Sequence, residues 1–329
     1  MSAARAGHVL VIGVDGVRFD LLNPVTTPSL WDLGRAGFLV PVPVDETTPS
    51  WSGPCWATIA TGTGVAGHGI TGNDLTGHRL ADHPDFLTVA TRAGLSTMLA
   101  VGGWAPLALG QDGGPLFAEA TRREFIHPPD KEAMPDRVAA WDAADEAVTE
   151  RAAQILAADA PRMSFIYLGA VDIAGHLTGA GDAYRAAART ADHRVWRLRA
   201  ALRSRPDFAA EDWTVIAVTD HGHLDAGGHG GREPEVVTAW AAAAGPGIAP
   251  GTPPLITRQV DVAPLVLASA GLAAAAGLAG GGLASAGLAG AGVTGTDLVG
   301  RPESEPAAPP AAEPAARPAA GGASATGRG

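Results

Sequence analysis

The sequence predicts an α/β fold, a central and mostly parallel sheet with helices on both faces, on three observations. Short apolar runs of strand character alternate with helical stretches, as in a sheet wound by crossover helices. The 329 residues are 46% hydrophobic and 17% charged, which supplies a sizeable core and does not resemble a disordered chain. Acidic and imidazole residues recur at or just beyond the ends of the strand-like runs, where open α/β sheets bind their ligands.

In chain order, the first strand is Val9–Val14, an apolar run that stops at the turn pair Asp15 and Gly16. A helix covers Ala57–Thr61 and extends beyond it, and Thr97–Val101 is the next strand. Residues 103–142 hold several Pro and Gly residues and the aromatics Trp104, Phe117 and Phe125; they read as an irregular insertion or lid, the natural place for substrate selectivity. Then follow a helix at Glu146–Ala158, a strand at Ser164–Leu168, a helix at Ala183–Arg203, strands at Thr214–Val218 and about Val236–Ala241, and a helix at Val260–Ser269. Residues 1–302 are expected to form one domain with a Gly/Ala-rich segment at about 271–293, and Thr294–Pro302 is a candidate last strand or turn. Residues 303–329, rich in Pro, Ala and Gly, are expected to be disordered because they cannot bury enough apolar surface to offset chain entropy.

A formal net charge of -11 argues against a broad nucleic-acid surface, which needs clustered Lys and Arg, but leaves room for a small anionic substrate held by metal ions. The single cysteine, Cys55, excludes an intramolecular disulfide and a multi-cysteine metal knot. The first apolar run has no small-residue cleavage site behind it, and the Ala/Gly run after Ala270 is too rich in glycine for a membrane span. A cytoplasmic protein without membrane contact is the expectation.

Four sets of residues carry the chemistry. Asp15 ends the first strand; Asp172 and His176 follow Ser164–Leu168; Asp220 and His221 follow Thr214–Val218; and His229 lies in the glycine-rich loop 227–231. Asp172 and His176 are four apart, so one helical turn puts both on one face. Nitrogen and oxygen donors without thiolates suit catalytic zinc, and a metal pair can stabilise both oxygens of an in-line phosphoryl displacement. Each set alone has a plainer reading, as a turn, a flexible loop or, for Ser52, a helix cap. Their joint occurrence, in order and at strand ends, points to a metal site.

The Asp15-Gly16-Val17-Arg18 opening, the Asp172 and His176 pair, the Thr219-Asp220-His221-Gly222 run and the loop around His229 resemble, in order, metal-binding segments of the alkaline phosphatase superfamily. The resemblance is to its type I phosphodiesterase/nucleotide pyrophosphatase branch in particular and spans roughly residues 8–302. Aligned on Ala57–Gly62 and on His68-Gly69-Ile70, the family's nucleophile falls on Ser52 and its phosphate-binding Asn on Asn73. The resemblance implies an alkaline phosphatase-like three-layer sandwich and a two-metal hydrolase of small phosphate esters, most naturally a phosphodiesterase or nucleotide pyrophosphatase. One divalent ion would be held by Asp172, His176 and His229, the other by Asp15, Asp220, His221 and the Ser52 oxygen; zinc is expected, with manganese or iron as alternatives. It implies a covalent Ser52 intermediate, Asn73 on a nonbridging oxygen, and amide donors from the helix that begins after Ser52.

Other residues carry lesser expectations. His68 should be structural, His223 and Asp225 should lie in the loop between ligands without coordinating, and Cys55 should pack. Trp51 and Trp56 should either stack on a base or aryl leaving group or pack in the core. The branch's Asn and His are replaced by Cys55 and Trp56, and the run Ser52-Gly53-Pro54-Cys55-Trp56 lacks the Arg of sulfatases, which disfavours a sulfatase. The sequence shows no counterpart of the arginine that holds a monoester in alkaline phosphatases proper, which favours a diester. A phosphomonoesterase, a phosphonate hydrolase and a catalytically silent metal-dependent binding protein are the alternatives.

Overall fold

The computed structural model describes residues 7–108, 116–128, 136–251 and 253–272. The candidate strand at Thr294–Pro302, the tail at 303–329 and nearly all of the Gly/Ala-rich segment lie outside them. Seven strands, β1 (Gly7–Val14), β2 (Phe38–Pro43), β3 (Thr97–Gly102), β4 (Arg122–Ile126), β5 (Met163–Leu168), β6 (Asp212–Val218) and β7 (Thr238–Ala244), form one sheet in the order β2-β7-β6-β1-β5-β3-β4. β1 pairs in parallel with β5 and β6, and β3 with β5 and β4; β7 runs antiparallel to both β6 and β2. The mostly parallel sheet read from the sequence is present.

β1 lies at the centre, and every residue after Gly7 in it is buried, as a parallel strand covered on both faces requires. Its side chains alternate between two cores. Val9 and Val11 pack with residues of α2 (Ser52–Thr61), α4 (Phe86–Arg92) and α9 (Val262–Ser269), among them Ile59, Phe86 and Leu265. Leu10, Ile12 and Val14 pack with residues of α1 (Pro28–Ala36), α5 (Asp136–Ala158) and α7 (Asp182–Arg203), among them Leu30, Val148 and Leu198. Each such side chain stabilises the fold by about 1.5–3 kcal/mol on burial. The short helices α3 (Val65–His68), α6 (Ala170–Thr178) and α8 (Pro234–Val237) complete the α-helices of the described residues.

Several elements differ from the sequence reading. β2 and β4 were not anticipated, and both are edge strands. β2 carries Pro41 and Pro43, and β4 reads Arg-Arg-Glu-Phe-Ile, compositions that an edge tolerates and that hide a strand from hydropathy. β7 starts two residues after the expected Val236, because Pro234–Val237 turns as α8 first. α5 begins at Asp136, ten residues before Glu146, so the span 103–142 holds a strand and the first turns of a helix and is not irregular throughout. Among the described residues no helix is long and apolar enough to cross a membrane.

Candidate metal centre

Because β5, β1 and β6 are adjacent and parallel, their carboxyl ends open on one edge of the sheet. Asp15 follows β1, Asp220 follows β6, and α6, which starts two residues after β5, carries Asp172 and His176. His221, His223 and His229 come from the non-helical chain between β6 and α8. The seven sequence-derived metal candidates meet at this edge, and His223 joins them.

Around Asp15 the geometry is tight. Asp15 is fully buried; its Oδ2 accepts hydrogen bonds from Trp56 Nε1 at 2.9 Å and from the Tyr167 hydroxyl at 2.6 Å, and its Oδ1 accepts none. Asp220 Oδ1 accepts from the Gly16 amide at 3.2 Å, while its buried Oδ2 accepts no hydrogen bond and lies 3.1 Å from His221 Nε2. That nitrogen is 3.7 Å from Asp15 Oδ1 and 3.3 Å from Ser52 Oγ. On the neighbouring side, Asp172 Oδ1 is 2.8 Å from His223 Nε2 and 3.6 Å from His229 Nε2. Asp172 Oδ2 is 3.5 Å from His176 Nε2, which is 3.0 Å from His229 Nε2.

The electrostatics suit cations. Burial pushes the carboxyls of Asp172 and Asp220 well above the ordinary range, and repulsion from Asp15 adds to it. Burial also holds the imidazoles neutral: His221 falls well below its usual value, His223 to about 4 and His229 to about 2. His229 Nδ1 sits 2.7 Å from the Ser50 carbonyl and His221 Nδ1 3.2 Å from that of Gly222. A carbonyl only accepts, so each Nδ1 carries the proton and each Nε2 keeps its lone pair for the cluster. Two buried carboxylate oxygens without donors, beside neutral imidazoles, form a donor set into which divalent cations fit. Two groups have donor atoms within 4.8 Å of one another: Asp172, His221, His223 and His229, and Asp15, Asp220 and His221.

Ser52 is the first residue of α2 and is buried against this cluster. Asn73 Oδ1 accepts from the Gly53 amide at 2.7 Å, which leaves the Asn73 amino group as its donor. Past Ser52, the expected amide donors of α2 are engaged elsewhere or missing. The Gly53 N–H goes to Asn73, Pro54 has none, and the Cys55 N–H goes to the Trp51 carbonyl. A cavity of about 370 Å³ opens in front of Ser52, lined also by Asn73, Trp104, Arg137, Trp141 and Tyr167.

His68 is buried, its Nδ1 accepting from the Ile70 amide and its Nε2 3.1 Å from Thr58 Oγ1. Cys55 is buried, and burial raises its thiol well above the usual value. Trp56 is core, with its N–H on Asp15, whereas Trp51 is 45% exposed and rests on Gly230. Asp225 is exposed and pairs with Arg18 at 2.5 Å. His223, expected not to coordinate, is fully buried among the candidate ligands. One signal could have found it: in extended chain, residues two apart face the same side, and His223 stands two after His221. Trp104, named from the sequence within the span read as a lid, does line the cavity, whereas Trp141 and Arg137 of the same span had no motif to single them out.

Residues 9–240 match the model of the type I phosphodiesterase / nucleotide pyrophosphatase family. No curated protein matches the chain by sequence. Among solved structures, a 2-O GAG sulfatase superposes with a TM-score of 0.63 at 13% identity, over 81% of this chain and 71% of that one. The phosphonate monoester hydrolase of Agrobacterium radiobacter gives 0.58 at 14% identity, over 80% and 74%. A murine ectonucleotide pyrophosphatase / phosphodiesterase 5 gives 0.48 at 20% identity, over 66% and 57%. The first two establish the shared architecture, an alkaline phosphatase-like three-layer sandwich, and speak to fold alone.

Proposed function

The chain belongs to the type I phosphodiesterase / nucleotide pyrophosphatase family of the alkaline phosphatase superfamily, and from that premise we propose that it is a two-metal phosphodiesterase acting on small phosphate diesters, nucleotides included. The observation that carries the reading is the seat of Ser52. Its Oγ is 3.3 Å from His221 Nε2, beside the unpartnered oxygens of Asp15 and Asp220 and at the wall of a cavity that also holds Asn73. Asp172, His176 and His229 would hold one divalent ion, and Asp15, Asp220, His221 and Ser52 Oγ the other, zinc being the metal these donors favour. When bound, the two ions supply Lewis acidity that makes the serine hydroxyl easier to deprotonate and offsets charge on the attacking and leaving oxygens.

Ser52 Oγ attacks phosphorus, the alcohol oxygen leaves, and water then cleaves the Ser52 phosphoester. Burial of Ser52 keeps bulk water from competing with it. The Asn73 amino group, fixed by its carbonyl's bond to Gly53, donates to a nonbridging oxygen. Trp104 and Trp141 give the cavity an aromatic wall for a base or aryl group. Position 56, where a sulfatase would need Arg, is a buried Trp that hydrogen-bonds Asp15.

One observation favours phosphomonoester hydrolysis as a second reading. Arg137 lines the same cavity, a cation suited to the additional charge of a monoester. Hydrolysis of bis-p-nitrophenyl phosphate and of p-nitrophenyl phosphate, after chelation and after adding back zinc or manganese, separates the two. We expect metal-restored turnover with the diester preferred, and a Ser52→Ala loss of about 10³-fold or more with the fold intact. Full turnover by Ser52→Ala refutes the nucleophile, and monoester preference that disappears in Arg137→Ala moves the assignment to a phosphatase.

A further inference from the structure

The imidazole of His223 has no place in either of the two ligand sets of the proposed function, yet it is one of the most enclosed side chains of the site. It is fully buried, its Nε2 is 2.8 Å from Asp172 Oδ1, and the rings of His176, His229 and Tyr184 stand edge-on at 5.1, 5.2 and 5.7 Å. The chain makes room for it. A Cβ on Gly16 would come within 2.9 Å of His223 Nε2, and one on Gly175 within 2.8 Å of three of its ring atoms. Gly175 lies inside α6, where glycine costs about 1 kcal/mol relative to alanine, and the ring seated against it accounts for its presence.

We propose that His223 is a direct ligand, through Nε2, of the ion assigned to Asp172, His176 and His229, so that this ion is held by one carboxylate and three imidazoles. The inference rests on the two-metal reading of the site. Donor atoms of Asp172, His223 and His229 lie within 4.8 Å of one another, the spacing of atoms that share a cation at about 2.0–2.2 Å. His176, the fourth donor, has a side chain 41% exposed, so His223 is the better shielded of the two. The competing role is indirect: an Nε2–H that only orients Asp172.

Zinc affinity, read by competition with a chromophoric chelator and without substrate, separates these roles in His223→Ala and His223→Gln. Glutamine keeps an N–H donor at similar reach but is a poor zinc ligand. We expect both variants to weaken one of the two zinc-binding steps by about 100-fold or more, with the chelated His223→Gln protein melting close to chelated wild type and the cavity-forming His223→Ala melting lower. An unchanged His223→Ala, or a His223→Gln within about tenfold of wild type, overturns the proposal. Should the variants fail to fold, a crystal structure of the zinc-loaded wild-type chain decides: a zinc to Nε2 distance of about 2.0–2.1 Å supports direct ligation, and one beyond about 3 Å refutes it. Because the readout needs no turnover, the proposal can fail while diester hydrolysis stands, and an inactive enzyme leaves it intact.

Discussion

Asp15 spends one oxygen on two donors and keeps the other bare. Trp56 reaches it by lying across β1: a Cβ on Gly13 would fall 2.5 Å from the indole ring, so only glycine there lets a tryptophan pass over the strand. Tyr167, on β5, supplies the second donor, and the pair fixes the carboxylate so that Oδ1 faces Asp220 and His221 without a rotamer search. Removing the hydroxyl in Tyr167→Phe should lower zinc affinity at the Asp15 site by about 10–100-fold and leave the fold intact, read by chelator competition. Equal affinity would mean that Trp56 alone holds Asp15. The candidate ligands were legible because each sits in a short local pattern, at a strand end, on the helix that follows one, or in the glycine-rich loop. Tyr167 was not, since its partner lies 152 residues away and nothing near it in sequence marks a hydroxyl that points at a carboxylate.

Two helices, α6 with its site residues Asp172 and His176 and α1 on the same face of the sheet as α5 and α7, are capped from a neighbouring helix. Gly169 gives α6 no side-chain cap, and Asp145 of α5 accepts from the Gly169 and Ala170 amides at 3.0 and 2.9 Å. α1 is served likewise by Asp192 of α7, which accepts from Ser29 and Leu30 at 3.0 and 2.8 Å. Burial, the largest cause, raises Asp145 to about 7 and Asp192 to about 6. An unfolded Asp titrates near about 3.9, so the folded state holds the extra protons between about pH 4 and 7, and these groups make stability fall as pH rises through that window. Asp145→Asn removes its share. Urea unfolding of the chelated proteins should show wild type losing about 2–3 kcal/mol relative to Asp145→Asn between pH 5 and pH 8. A constant difference would mean that the two amide donors hold the carboxylate ionised. Such capping in trans cannot be read locally, whereas β1 and β6 could, because a central parallel strand is a continuous apolar run. The edge strands β2 and β4 carry prolines and charges that blunt pairing and erase that signal.

The molecule as a whole concentrates negative charge where it is least solvated. Asp15, Asp172 and Asp220 converge at the edge where three parallel strands end, in a chain of net charge -11. Without cations this arrangement opposes folding, since buried like charges are neither hydrated nor paired. Chelation should therefore lower the melting temperature, and zinc at about a hundred times its dissociation constant should restore about 2.7 kcal/mol per site. Asp220→Asn tests the cause. The amide keeps an oxygen for the Gly16 N–H and places its amino group where Oδ2 now lies 3.1 Å from His221 Nε2, which can accept from it. At pH 8 the chelated variant should be more stable than chelated wild type by about 1–3 kcal/mol, with one zinc-dependent rise in melting temperature lost. A chelated variant that melts below chelated wild type would show that Asp220 is not strained as a buried charge, and would remove the electrostatic argument that the cluster is built around cations.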